Sequence, residues 1–215
     1  MPTIDPRLFF LENVKNLVSH DKGKTFKVIR ETLEALEYSF DKRIIDGKYF
    51  VPQHRERTIM IGFDKRYFGE NISFDFDKVL LPDAIHRIKD ILEKKPDSKY
   101  TLSEHLWGYL QNYAKKHKEK GNGFGFGLVD LNGISRTMSA RYYKDGAEIL
   151  IPQTDKNKVP RRLMPVEAAA LFGYPKNFRI PVSDAQAYRQ FGNSVVMPLI
   201  QAVGEQLSEM LVKKI

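Results

Sequence analysis

The stretch Leu8-Phe9-Phe10-Leu11-Glu12-Asn13-Val14 decides how the chain is read. Four apolar residues run straight into a carboxylate and an amide. Such a run predicts a strand buried on both faces, as in parallel α/β sheets. Ligands of those sheets sit beyond the carboxyl ends of the strands. Glu12 and Asn13 are therefore expected at the rim of a pocket. A buried strand needs a neighbour on each side. Only seven residues precede this one, so one neighbour is expected to come from elsewhere.

Working outward, Lys24 to Glu37 carries Phe26, Ile29, Leu33 and Leu36 at helical spacing, which predicts a helix covering a sheet face. Phe40 to Ile45 and Thr58 to Phe63 read as strands, separated by Val51-Pro52-Gln53-His54-Arg55-Glu56-Arg57. Strand, helix, strand and strand over residues 1–65 look like the second half of a doubly wound sheet. No glycine-rich turn follows the first strand, so the cofactor-binding half of such a sheet is not visible.

Farther along, Pro82 to Lys95 is expected to be helical. Thr101-Leu102-Ser103-Glu104 reads as a capping box for a helix to about Lys118, with Leu106, Trp107, Leu110 and Tyr113 as its buried side. That helix ends in Lys115, Lys116, His117, Lys118 and Lys120. A cationic last turn suits a helix C-terminus, and it also suits a phosphate contact. Gly121-Asn122-Gly123-Phe124-Gly125-Phe126-Gly127 lacks the strand-before-helix context of a dinucleotide loop. It reads instead as a strand that admits another backbone closely. From Ser135 to Leu150, Arg136, Thr137, Arg141, Tyr142, Tyr143 and Lys144 interleave bases and aromatics. They predict either a DNA-reading loop or an ordinary polar hairpin. A polar linker, 153–160, precedes a short helix opened by Pro165 and stopped by Gly173 and Pro175. Arg189 to Val196 is expected to introduce the last helix. A Gly-Asn-Ser turn at a helix start offers free N–H groups to a polar ligand.

Composition narrows the class. At 215 residues the chain is long enough for a full core, and 42% hydrophobic content argues against disorder. A net charge of +8 and a pI of about 9.4 favour a polyanionic partner, nucleic acid first. There is no cysteine, which excludes disulfides, cysteine zinc sites and a cysteine nucleophile within these residues. The five histidines are scattered without metal-ligand spacing, so no metal is expected. The first residues are no signal peptide, and no apolar run approaches ~18 residues. No membrane association and a cytoplasmic location are expected.

Four of these pieces together resemble the DNA (cytosine-5)-methyltransferase family. Glu12-Asn13-Val14 is similar to its Glu-Asn-Val motif, and Gln53-His54-Arg55-Glu56-Arg57 to its Gln-x-Arg-x-Arg motif. Arg162-Leu163-Met164-Pro165-Val166-Glu167, with Leu171 and Gly173, resembles the ninth motif. Gln190-Phe191-Gly192-Asn193-Ser194-Val195 resembles the tenth. The resemblance runs from residue 8 to about residue 212. The expected fold class is α/β: the second half of a doubly wound, Rossmann-like methyltransferase sheet plus a smaller mixed domain. The implied division is a partial catalytic domain over 1–65, a target-recognition domain over 66–158, and C-terminal helices over 159–215 returning to the catalytic domain. The run Ser139 to Glu148 is similar to Dcm-type enzymes, which methylate the inner cytosine of CC(A/T)GG.

The resemblance also implies roles. In the family a cysteine thiolate adds to C6 of a cytosine flipped out of the duplex, and C5 then takes a methyl group from S-adenosylmethionine. Glu12 is expected to bond N3 and the exocyclic amine. Arg57 is expected to contact the base carbonyl oxygen and orient Glu12. Arg55 and Gln53 would support them, and Asn13 would shape the pocket. Asn193, Ser194 and Val195 would line the methionine end of the cofactor. Gln53, Arg136, Thr137, Arg141 and Lys144 are the expected contacts to double-stranded DNA. Two family motifs are absent from the 215 residues: the Phe-x-Gly-x-Gly cofactor turn and the Pro-Cys dipeptide. Met164 also stands where the family usually has threonine, an N-cap change that costs ~1 kcal/mol. The chain alone is therefore expected to be inactive, sharing S-adenosylmethionine with a separate N-terminal subunit or associating with itself. The alternative is a catalytically silent remnant acting at most as a DNA-binding module. A self-sufficient enzyme with another nucleophile is disfavoured, because no Ser-His or Lys arrangement replaces the cysteine.

Overall fold

A computed structural model describes residues 6–123, 125–154 and 159–212. They fall into two compact units. One comprises Met1–Asp46, Glu56–Leu81 and Ile200–Ile215; the other comprises Gly47–Arg55 and Pro82–Leu199.

The first unit is built on strand β1 (Leu8–Val14), helix α1 (Lys24–Ala35), and strands β2 (Tyr38–Asp46) and β3 (Glu56–Asp64), followed by a single helical turn, α2 (Lys65–Phe68). The sheet order is β1-β3-β2. β3 runs antiparallel to both neighbours, pairing Leu8 with Phe63, Val14 with Arg57, and Tyr38 with Asp64. β1 and β2 therefore point the same way, joined through α1, and β3 is inserted between them. The chain has the α/β architecture that the alternation of elements predicts.

Burial falls on a different strand from the one expected. β1 is an outer strand and only partly covered, with Leu11 44% exposed. The fully buried strand is β3, where Ile59, Ile61 and Phe63 are completely inaccessible. The cause is hydrogen-bonding position: β3 has a paired neighbour on each edge, whereas among the described residues β1 pairs on one edge alone. Gly62 belongs to this arrangement, since a Cβ there would overlap the Phe9 ring that lies across it. α1 covers the sheet with fewer residues than its spacing predicts. Phe26 is buried edge-on against Phe40, Ile29 and Leu33 are half-buried, and Leu36 is exposed.

The second unit holds α3 (Glu104–Glu119), the two-residue strands β4 (Leu150–Ile151) and β5 (Arg161–Arg162), α4 (Pro165–Leu171) and α5 (Asp184–Asn193). The last helix, α6 (Met197–Val212), continues from this unit into the first. Met138, Tyr142, Ile149, Leu163, Phe172 and Tyr188 anchor the main core of the second unit, and a smaller cluster of Leu102, Leu110, Leu150 and Val159 lies under α3. Arg161 and Glu167 form a buried two-pronged ion pair at 2.7 and 2.8 Å. The Glu167 carboxylate also accepts from the backbone N–H groups of Glu93 and Met164.

Local structure departs from the expected pattern at several points. Residues 82–95 are not a helix; they hold one 3₁₀ turn, Ile88–Ile91. The N–H groups of Ile88 and Lys89 are taken by the carbonyls of Gly133 and Leu131, so tertiary pairing overrides the local helical pattern. α3 is capped by Ser103, whose hydroxyl accepts from the Leu106 N–H at 3.1 Å, two residues later than the predicted cap Thr101. Residues 136–149 form turns rather than a hairpin, because β4 pairs instead with β5. Close backbone approach in the glycine-rich run occurs at Gly127, where a Cβ would overlap the Glu148 carbonyl. Phe124 of that run, and residues 155–158 of the expected linker, lie outside the described residues.

Candidate active site

The carboxyl end of β1 places Glu12 opposite Ile59, with Arg57 as its diagonal neighbour on β3. Residues two apart on a strand share a face, so the two side chains meet. Arg57 Nε lies 2.9 Å from Glu12 Oε1, with the side chains only 13% and 22% exposed. The Arg57 guanidinium also donates to the Glu56 carbonyl at 2.8 Å. Burial holds the Arg57 pKa below its ordinary value, and the Glu12 charge and hydrogen bond act against that shift. The next residue, Asn13, is exposed, and its Oδ1 accepts from the Val14 N–H at 2.8 Å.

Gln53 and Arg55 belong to the second unit and are almost completely buried there. Gln53 donates from Nε2 to the Leu171 carbonyl at 3.2 Å and accepts on Oε1 from the Met138 N–H at 2.9 Å. With 0% exposure it offers no surface to a duplex, which corrects its expected role as a DNA contact. Arg55 donates to the carbonyls of Met138 at 3.0 Å, Gly192 at 3.0 Å and Ser194 at 2.9 Å, and its guanidinium stacks over Phe172. Thr137 Oγ1 donates to the His54 carbonyl at 2.6 Å. The segment 53–55 thus ties residues 137–138 to residues 192–194. Gly192 seals the join, because a Cβ there would overlap the backbone of Ser139 and Ala140.

Residues 189–193 end a helix rather than begin one, since α5 runs through Asn193. The last helix, α6, follows from Met197, so Gly192-Asn193-Ser194 closes α5 ahead of it, and Arg55 takes the Gly192 and Ser194 carbonyls. Asn193 itself is exposed, whereas Ser194 and Val195 are half-buried in the connection to α6. The Ser194 hydroxyl donates to the Phe191 carbonyl at 2.9 Å, which leaves its oxygen lone pairs for a ligand.

Arg136, Arg141 and Lys144 are exposed on the turn-rich segment between Ser135 and Ile149. Its shape is set by Tyr142, whose hydroxyl donates to the Ile149 carbonyl and accepts from the Leu163 N–H, both at 2.8 Å. Glu148 braces the segment by accepting from the Ser139 N–H at 2.8 Å and from the Ser139 hydroxyl. The spacing patterns of the sequence do not reveal Tyr142 or Glu148 as supports. Their partners are not sequence neighbours, and only the return of the chain brings them near.

Two grooves in the first unit, of about 410 and 430 Å³, are lined by Tyr38 and its surroundings. In the sheet register Tyr38 lies at the opposite end of β3 from Arg57, so neither groove belongs to the Glu12–Arg57 pair. Among the described residues no group of three or more His, Cys, Asp or Glu side chains could hold a metal ion. No helix among them is long and apolar enough to cross a membrane.

Residues 2–209 match the model of the C-5 cytosine-specific DNA methylase family. The chain is 49% identical over 204 residues to the Type II methyltransferase M.SsoII of Shigella sonnei, a match spanning 94% of this chain and 53% of that relative. It is 45% identical over 236 residues to the DNA-cytosine methyltransferase of Escherichia coli strain K12, across 94% of this chain and 49% of the relative. The chain thus spans about half the length of the curated relatives it matches. Among solved structures, the Dnmt2 methyltransferase of S. pombe shares the fold, with a TM-score of 0.74 at 19% identity over 96% of this chain and 67% of that one. With a family model matched over residues 2–209 and relatives 45–49% identical across 94% of its length, the chain belongs to the C-5 cytosine-specific DNA methylase family.

Proposed function

We propose that these residues carry the base-holding part of a DNA cytosine-5 methyltransferase, which places a methyl group on C5 of a cytosine flipped out of double-stranded DNA. The observation that carries the proposal is the Glu12–Arg57 pair at the carboxyl end of β1. Arg57 fixes one carboxylate oxygen of Glu12 at 2.9 Å, which leaves Oε2 to meet the N3 and amine edge of the base. The Arg57 guanidinium has further N–H groups for the base carbonyl oxygen. Charge that builds at N3 during addition to C6 is then offset in a site partly shielded from water. Asn13 shapes the rim beside them.

S-adenosylmethionine supplies an electrophilic methyl group when bound. Asn193, Ser194 and Val195 would line its methionine end, and Arg55 and Gln53 hold that segment in register with residues 137–138. The loop carrying Arg136, Thr137, Arg141 and Lys144, within the target-recognition region 66–158, would read the duplex. By similarity to Dcm-type enzymes its target is CC(A/T)GG.

The 215 residues contain no cysteine, so the thiolate that adds to C6 comes from outside them. This predicts no tritium transfer from labelled S-adenosylmethionine to DNA by the purified 215-residue chain. Adding a chain that carries the N-terminal half of a relative should restore transfer, and Glu12→Gln should abolish the restored activity. Transfer by the 215 residues alone would overturn the assignment of an outside nucleophile. Full activity of the complemented Glu12→Gln chain would overturn the role of Glu12.

A further inference from the structure

We infer that the solvent flank of α3 is a second nucleic-acid surface, one that grips the sugar–phosphate backbone without reading sequence. The inference rests on the proposed action on DNA and adds a contact site separate from the loop around Arg141. Three observations converge on this helix.

The first is a ladder of rings. Tyr109 and Tyr113 stack with centroids 6.1 Å apart and planes 28° from parallel, and Tyr113 meets the His117 ring at 4.3 Å. The two phenols are exposed, Tyr109 by 57% and Tyr113 by 38%. The buried side of α3 is Leu106, Trp107 and Leu110, while Tyr113, expected on that side from its spacing, is exposed.

The second is the spacing. Tyr109, Tyr113 and Lys116 stand at i, i+4 and i+7, which is one stripe of α3, and Lys120, the residue that caps the helix, follows at i+11. His105, one turn before Tyr109, extends the same stripe, and no carboxylate falls on it. Every side chain of the stripe can donate a hydrogen bond, as phosphate oxygens require.

The third is surplus charge. Lys115, Lys116, Lys118 and Lys120 are all exposed, against a single Glu119 in the same stretch. One or two cations satisfy a helix C-terminus, whose influence fades within the last turn. Four lysines exceed that need, and their charge is complementary to a phosphate chain.

The occupant is thus the nucleic-acid backbone, and sequence choice stays with the 136–144 loop. The test uses fluorescence anisotropy of the full 215-residue chain with a labelled duplex containing CCAGG, the same duplex scrambled, and the corresponding single strand. Each is titrated across a range of salt concentrations. Lys116→Gln with Lys120→Gln should weaken binding to all three by about tenfold at low salt and flatten the log–log salt slope by about two. Lys116→Arg with Lys120→Arg should keep the slope, which separates charge from packing. Arg141→Ala should instead remove any preference for CCAGG while leaving the α3 contribution intact. An unchanged slope in the Gln double variant overturns the α3 surface even where target preference persists. A wild-type chain that binds all probes equally, and loses them on Lys116 and Lys120 neutralisation, supports the α3 surface while overturning target reading by the loop.

Discussion

Tyr142 shows how one buried phenol can shape a loop whose other side chains face solvent. Its ring packs edge-on against Tyr188 at 5.1 Å, and its hydroxyl bridges Ile149 to Leu163. Desolvation raises the pKa of both phenols well above the ordinary 10.0. Both are thus neutral in the fold and would ionise more easily once unfolded. Their contribution to stability is complete below about pH 10, and it is lost as pH rises from there toward the raised folded values. Alkaline titration followed at the tyrosinate absorbance band should show these two phenols silent until the second unit unfolds, with stability falling only above about pH 10. Early ionisation of both before any loss of helical signal would contradict their burial. At this scale Glu12 and Arg57 were legible in the sequence, because the Glu-Asn-Val and Gln-x-Arg-x-Arg patterns name them. Their contact follows from a two-residue period. Gln53, expected beside the duplex, is an internal brace between Leu171 and Met138, since spacing does not say which side of a strand end faces solvent.

At the scale of elements, local signals worked where local physics decided the outcome. α1, β2, β3, α3 and α4 stand within a few residues of their predicted bounds. Signals failed where distant backbone intervened, as at 82–95, whose amides serve residues 131–133. α5 escaped notice because Gly192-Asn193-Ser194 reads equally as a start or a stop. Only the Ser183 cap, whose hydroxyl oxygen accepts from the Gln186 N–H, fixes the direction. α4 carries a testable weakness. Its N-cap is Met164, which makes no side-chain cap bond, while Glu167 reaches back to the Met164 N–H at 2.8 Å. Half of a capping box is thus in place. Met164→Thr should complete it and stabilise the chain by about 1 kcal/mol, seen as a raised midpoint in urea denaturation. A lowered midpoint would show that the Met164 side chain matters more for its packing than for its position.

For the whole molecule, the outer strand is the exposed question. β1 carries neither proline nor lysine, the usual guards of an open edge, and Leu11 and Val14 are about half exposed. An unguarded edge is a template for another strand. Light scattering of the 215-residue chain should therefore show concentration-dependent association, with amide exchange at residues 8–14 slowing as mass rises. A monomer at every concentration, with those amides exchanging fast, would show that the edge stays open. The sequence made this strand look central because apolar runs report burial without saying which partner provides it. β3, similarly apolar and with a neighbour on each side, is the strand that the pattern describes.

The chain passes between its two units at Asp46–Gly47, Arg55–Glu56, Leu81–Pro82 and Leu199–Ile200. Trimming from either terminus therefore cannot isolate one unit. A shortened gene would always delete pieces of both or strand a remnant of one. A single protease nick at any crossing would leave both fragments contributing segments to the first unit, so cleaved product should migrate intact until it is denatured. Anyone grafting the second unit onto another protein would need to carry the Gly47–Arg55 insert along with Pro82–Leu199, and to rejoin four seams rather than one.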